Sequence, residues 1–161
     1  MQVRDLYEKY QIMPQLATHM LRVGAIVKLI NNDEDSILTA LVHDMGNIVK
    51  FTGLDPTWSE IQKIYWGKYG KDAHEATLAI LSEAGLPKLH HFIEEESNFY
   101  NQILHIDDFS TVSQPAVLTL YADSRVTMNG VTTLMERIVD LETRYDNHRT
   151  DRIWGPKLEE Y

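Results

Sequence analysis

Cysteine is absent from the 161 residues. Its absence excludes disulfide staples, thiolate zinc sites and a cysteine nucleophile together. Basic residues are scarce: 15 Lys and Arg stand against 24 Asp and Glu, for a formal net charge of −9. Such a balance repels phosphate backbones and anionic lipid surfaces, so neither a nucleic-acid polymer nor a membrane is expected as a partner. Long apolar runs are missing as well, since none approaches the roughly 20 residues of a membrane span. The opening Met-Gln-Val-Arg-Asp-Leu lacks the apolar core of a secretion signal, so a cytoplasmic protein is expected. Without thiolates, any metal must sit on His, Asp and Glu.

The composition, 43% hydrophobic and 24% charged, is that of an ordinary globular chain. The length suits one core. We place a single domain over residues 1–146 and a polar extension over 147–161, where Gly155-Pro156 breaks any helix and Trp154 is a candidate homodimer contact. Apolar residues recur at spacings of three and four, which predicts an all-α domain. Pro14 opens a helix with the stripe Leu16, Val23, Ile26 and Ile30, closed by Asn31-Asn32-Asp33. Asp35 or Ser36 caps the next, through Ile37, Leu38 and Leu41, with Gly46 as its stop. The stretch 47–54 reads as a loop or tight turn. Asp55-Pro56 begins a helix bearing Ile61, Ile64 and Tyr65, and Lys71-Asp72 begins one that runs through Leu78 and Leu81 to Gly85. Pro87 opens a helix with Leu89, Phe92, Ile93 and Phe99, and Asp107 to Ser113 is a loop. Pro115 starts a helix carrying Leu118, Leu120 and Val126, and Leu134, Ile138, Leu141 and Tyr145 form the last stripe.

The informative residues are polar ones on apolar faces, because burying a charge is costly unless it is paired or bound to a metal. At 100° per residue His19 falls within the arc of Leu16, Val23, Ile26 and Ile30. Asp44 lies in line with Ile37 and Leu41, and Asp123 shares a face with Ala116, Leu120 and Thr127. Taken singly, a core histidine is usually a hydrogen-bonded one, and an aspartate at a helix end is usually a cap or salt bridge. Taken together, two inward carboxylates and two inward imidazoles call for a common cation. Imidazole and carboxylate donors without thiolate suit manganese, iron, cobalt, nickel or zinc in an open site. Adjacent His43 and Asp44 diverge by about 100° in mid-helix, so serving one ion requires the helix to end there.

His19, the His43-Asp44 pair and Asp123, in this order, resemble the H…HD…D signature of the HD superfamily of metal-dependent phosphohydrolases. The surrounding segments HMLRVGAIVKLI, ILTALVHDMGN, HEATLAILSEAGLP and VLTLYADSRV are similar to that family's helices, and the resemblance runs from Tyr7 to Tyr145. It implies a compact HD-type helix bundle with a central metal held by His19, His43, Asp44 and Asp123. A second ion is also implied for dinuclear members. His74 matches the first extra histidine by context and lies inward with Leu78 and Leu81, while His90, His91 and Glu96 are candidates to complete that site, or lie on a solvated face as i,i+4 pairs with Glu94 and Glu95. Two departures matter. Asn47 stands where many members have the lysine of His-Asp-x-Gly-Lys, so any phosphate contact of that lysine is lost or moved to Lys50, and nothing matches the Gly-Tyr-Pro element of the cyclic-dinucleotide branch.

The expected reaction is hydrolysis of a small phosphorylated substrate, with a nucleotide phosphate ester as first guess, by metal-activated water. Asp44 and Asp123 are the candidate proton carriers; Arg22, Lys50 and then Arg125 are the candidate guides for an anion approaching an acidic chain. Phe51, Trp58, Tyr65 and Trp66 could stack on a base or fill the core. The competing readings are a di-iron HD-type oxygenase and a noncatalytic regulatory or binding module.

Overall fold

The computed structural model describes residues 2–102, 111–127, 129–137 and 139, the side chains of 99–102 excepted. The described chain is helical apart from one small hairpin. Helix α1 (Val3–Lys9) leads into α2 (Pro14–Ile30) and α3 (Glu34–Val42), followed by a 3₁₀ turn at Asn47–Lys50. Helices α4 (Pro56–Tyr69) and α5 (Ala73–Glu83) come next, then a short 3₁₀ turn at Pro87–Leu89, α6 (His90–Gln102) and α7 (Gln114–Asp123). Strands β1 (Val126–Thr127) and β2 (Gly130–Val131) pair antiparallel, Val126 opposite Val131, and residues 134–137 and 139 are again helical. Among the described residues no helix is long and apolar enough to cross a membrane. The remainder of the last stripe, the Phe99 side chain, most of the expected loop and the extension with Trp154 lie outside the described residues.

Short polar residues punctuate the bundle. Asp33, Asp55 and Asp72 cap α3, α4 and α5 by accepting from the amides of Ser36 (2.8 Å), Trp58 (3.2 Å) and Glu75 (2.9 Å). The α3 cap is therefore Asp33 rather than Asp35 or Ser36; Ser36 instead gives its hydroxyl to the same carboxylate at 2.8 Å and is buried. After α5 the chain turns at Gly85, φ +75°, with the Leu86 amide bonded to the Leu81 carbonyl at 2.8 Å.

Two apolar clusters carry the packing. The larger gathers Leu6, Leu16, Met20, Val42, Met45, Ile80, Leu81, Leu89 and Ile93 with other residues, and the smaller comprises Val23, Val27, Ala40, Ala122 and Val126. Phe51, Trp58 and Trp66 pack against the larger cluster and Tyr65 lies within it, so these aromatics serve the core. Ile30 and Ile64 belong to the stripes by spacing but are 52% and 63% exposed. The buried face of α2 runs instead through Leu16, Met20, Val23 and Val27, and that of α4 through Gln62 and Tyr65. Val126 is buried as expected, but in a strand, because α7 ends at Asp123.

Candidate metal centre

The centre is assembled from the middle of α2, the end of α3 and the end of α7. Helix α2 aims His19 inward between Leu16 and Val23, and α7 ends on Asp123 beside the fully buried Ala122. Asp44 does not continue the line of Ile37 and Leu41, because α3 stops at Val42 and the backbone tightens. The Met45 amide returns to the Val42 carbonyl and the Asn47 amide to the Asp44 carbonyl, both three residues back, at 3.2 and 2.9 Å. This change of pitch lets neighbours His43 and Asp44 serve one point.

The stop has a different cause from the one the sequence suggests. Gly46 has φ −84°, which any residue tolerates. A Cβ there would lie 2.5 Å from both the Ala73 carbonyl oxygen and the Thr77 amide nitrogen, so Gly46 is where the chain presses against the backbone of α5. Its amide donates to Thr77 Oγ1 at 3.0 Å. Farther along, Gln62 Nε2 donates to the carbonyls of Ile48 and Phe51, and Trp66 Nε1 to that of Val49 at 2.9 Å. Thr77, Gln62 and Trp66 thus fasten the turn that follows the His-Asp pair. Sequence reasoning missed the first two as positioning groups, although each is a polar residue spaced three positions before a buried one, Ile80 and Tyr65.

The converging atoms are His19 Nε2, His43 Nε2, Asp44 Oδ2 and Asp123 Oδ1. His19 Nε2 lies 3.6 Å from Asp44 Oδ2 and 2.9 Å from Asp123 Oδ1; His43 Nε2 lies 3.7 and 3.8 Å from the same two oxygens. Neither imidazole nitrogen has an aligned hydrogen-bond partner among the described residues, although both are buried. His43 Nδ1 is 2.9 Å from the Ala40 carbonyl oxygen, an acceptor, so Nδ1 carries a proton and faces away from the cluster. In the neutral ring that leaves the Nε2 lone pair toward the carboxylates, the arrangement by which a carbonyl orients a metal-binding histidine. Adjacent donors around a first-row divalent ion, with bonds of about 2.0–2.2 Å, are spaced roughly 3.0–3.5 Å apart; the imidazole–carboxylate spacings here are 2.9 Å, just below that range, and 3.6 to 3.8 Å, just above it. His19, His43 and Asp44 each offer a ligand atom within 4.8 Å of the others, a group that could hold a metal ion, while Asp123 approaches the two imidazoles without belonging to that group.

The electrostatics point the same way. Burial acts against a charged His43, but Asp44 first, then Asp123 and Glu96, push its pKa up to about 10. Burial acts to raise the Asp123 carboxyl, yet the imidazoles of His19 and His43 together hold it well below the usual carboxylate range. The pocket of potential favours positive charge wherever it is placed.

The other candidate residues are dispersed. His74 is half-buried on α5 and, among the described residues, joins no group of three ligand-type residues close enough to share an ion. His90 Nε2 pairs with Ser82 Oγ at 3.1 Å, and exposed His91 lies against the Phe92 ring. Glu95 accepts from the Ser113 amide at 3.1 Å, tying α6 to the start of α7. Glu96 follows Leu89 and Ile93 on the inner side of α6; burial pushes its carboxyl up to about 7, Asp44 and Asp123 adding to the rise and His43 and Lys50 opposing it. Arg22 Nη1 reaches the Thr127 carbonyl at 3.4 Å, Lys50 is exposed at the end of its turn, and Arg125 is engaged by Thr132 and by Tyr121 Oη at 2.8 Å.

Compared with family models, with curated proteins and with solved structures, the chain gives no significant match.

Proposed function

We propose that this chain is a metal-dependent phosphohydrolase of the HD type, built as a helix bundle around one divalent transition-metal ion, acting on a small phosphate ester. The observation that carries the reading is the pair of buried, unaligned imidazole nitrogens on His19 and His43 facing the carboxylates of Asp44 and Asp123. Neither makes an aligned hydrogen bond, and both face the same two carboxylates at 2.9 to 3.8 Å, an arrangement in which a divalent cation can replace the protons of the imidazoles.

When bound, the ion supplies Lewis-acid polarisation of a phosphoryl oxygen and a lowered pKa for water. The chain's own groups do the rest. Asp123 is held ionised by its imidazole neighbours; a carboxylate is a poor base while fully coordinated, so whichever of Asp44 and Asp123 is held only loosely by the ion would take the proton released as water attacks. Arg22, one helical turn beyond His19, is the first anion guide; its Nη1 also donates to the Thr127 carbonyl at 3.4 Å. Lys50 is the second guide. Arg125 is committed to the hairpin and is a weaker candidate. Should a second ion bind, Glu96, whose carboxyl feels the charges of His43, Asp44 and Asp123, is the first candidate to meet it, ahead of His74, His90 and His91.

The test is elemental analysis of untagged protein purified anaerobically, beside Asp44→Ala, followed by phosphate release from a panel of nucleoside monophosphates with manganese, cobalt or nickel. Close to one transition metal per chain, lost in the variant, with turnover on the panel, is the expected result. Close to two irons with oxygen consumption would replace the hydrolase by an oxygenase. Metal without turnover would leave a binding module, and no metal in either protein after soaking would sink the reading.

A further inference from the structure

The hydroxyl of Thr119 is a buried polar group that the centre described above does not use. Thr119 is completely buried on α7, and its Oγ1 has no hydrogen-bond partner among the described residues. Threonine inside a helix ordinarily gives its hydroxyl to the carbonyl four residues back. Thr18, Thr39 and Thr77 do so in this protein, bonding to Pro14, Asp35 and Ala73 at 2.7, 2.7 and 2.9 Å. Thr119 does not make the equivalent bond to Pro115. Across the packed face of α3, the buried hydroxyls of Ser36 and Thr39 are donated within their own helix or its cap, so the donor of Thr119 is left over.

Its position says what it is for. Thr119 lies one turn before Asp123 on α7, offset by only about 40° around the helix axis. Side chains on a helix lean toward its N-terminus, so the Asp123 carboxylate leans over the turn that contains Thr119. We propose, resting on the metal-site reading, that Thr119 is a positioning residue. Its hydroxyl donates to the Asp123 carboxylate when a cation occupies the centre, fixing which oxygen faces the ion. Outer hydrogen bonds of this kind hold ligand carboxylates, and their loss typically costs about 10–100-fold in metal affinity.

The experiment is a cobalt(II) titration of the metal-free chain, followed by visible absorption, beside thermal melts of the same metal-free samples. Thr119→Val keeps the shape and removes the donor. It is expected to bind cobalt about 10–100-fold more weakly while melting no lower than the parent, because an unpaired hydroxyl has been replaced by a methyl group. Thr119→Ser keeps the donor and is expected to bind nearly as tightly as the parent. Valine and parent binding cobalt equally would overturn the proposal; so would serine losing as much affinity as valine, since the effect would then be packing. A parent chain that binds no cobalt would overturn the metal reading itself, a result distinct from either. If the valine variant does not fold, Thr119→Ala takes its place with the same expected loss.

Discussion

The phenol of Tyr65 is buried and donates to the Tyr10 carbonyl, and that of Tyr7 donates to Leu41. Burial pushes both hydroxyls above their ordinary value near 10. In the unfolded chain each ionises near pH 10, while in the folded chain it stays neutral to higher pH. Their contribution is therefore complete below pH 10 and is lost as pH rises from there toward the folded values. Tyr65→Phe is expected to cost about 1 kcal/mol near neutrality and to make the loss above pH 10 shallower, as urea unfolding at several pH values would read. An equally steep alkaline limb in the variant would show that other groups set it. The contrast with His19 and His43 is instructive. Tyr65, Gln62 and Thr77 find partners in the backbone, whereas the two Nε2 atoms find none that is aligned. His19 and Asp123 were legible because helical spacing put them on apolar faces. Glu96 was reachable through spacing from Leu89 and Ile93, but Thr119 was not, because a threonine on a buried face is ordinary and only its missing bond marks it.

Helix starts were legible because proline and aspartate announce them by local chemistry: Pro14, Asp55-Pro56 and Asp72 each open a helix where expected. What periodicity could not see was where a helix ceases for a tertiary reason. Val126 continues an apolar pattern, yet α7 ends at Asp123, since Ser124 and Arg125 are not breakers and the hairpin depends on pairing with residues 130–131. Ile30 and Ile64 fit their stripes, but neither is covered by a neighbouring element. Gly46 is the most informative case. Spacing marks it as a helix stop, and only the packed fold shows that α5 passes too close for a Cβ. Gly46→Ala is expected to destabilise by about 1–3 kcal/mol through that clash and to weaken metal binding, because the displaced turn carries His43 and Asp44. Gly85→Ala makes the comparison. There the space is open but φ is +75°, so the cost is about 1–2 kcal/mol of backbone strain with metal affinity unchanged. Melting curves and a cobalt titration on both variants separate the two mechanisms; equal metal affinity in both would detach the Gly46 contact from the centre.

The candidate ligand residues sit where the two apolar clusters meet. His19 stands between Leu16 and Met20 of the larger cluster and Val23 of the smaller; His43 stands between Ala40 of the smaller and Val42 and Met45 of the larger; Asp123 adjoins Ala122 of the smaller. A cation held there would tie together chain segments from residue 19 to residue 123 in the folded state alone, and would stabilise the whole bundle by mass action. At a free concentration 100 times Kd this amounts to about 2.7 kcal/mol, which for a domain of this size raises Tm by on the order of 5–10 °C. The net charge of −9 supplies a competing explanation, since any divalent cation relieves self-repulsion on an acidic surface. The two differ in salt dependence and in chemistry. Relief of surface repulsion is screened at moderate ionic strength, is shared by calcium, and survives loss of one carboxylate. Binding at the centre persists in salt, favours manganese, cobalt, nickel or zinc over calcium because two of the four donors are imidazoles, and disappears in Asp123→Asn. Melts of parent and variant with each cation at low and high salt decide it: a rise that calcium matches and Asp123→Asn retains would mean that the acidic surface, and not the centre, binds the metal.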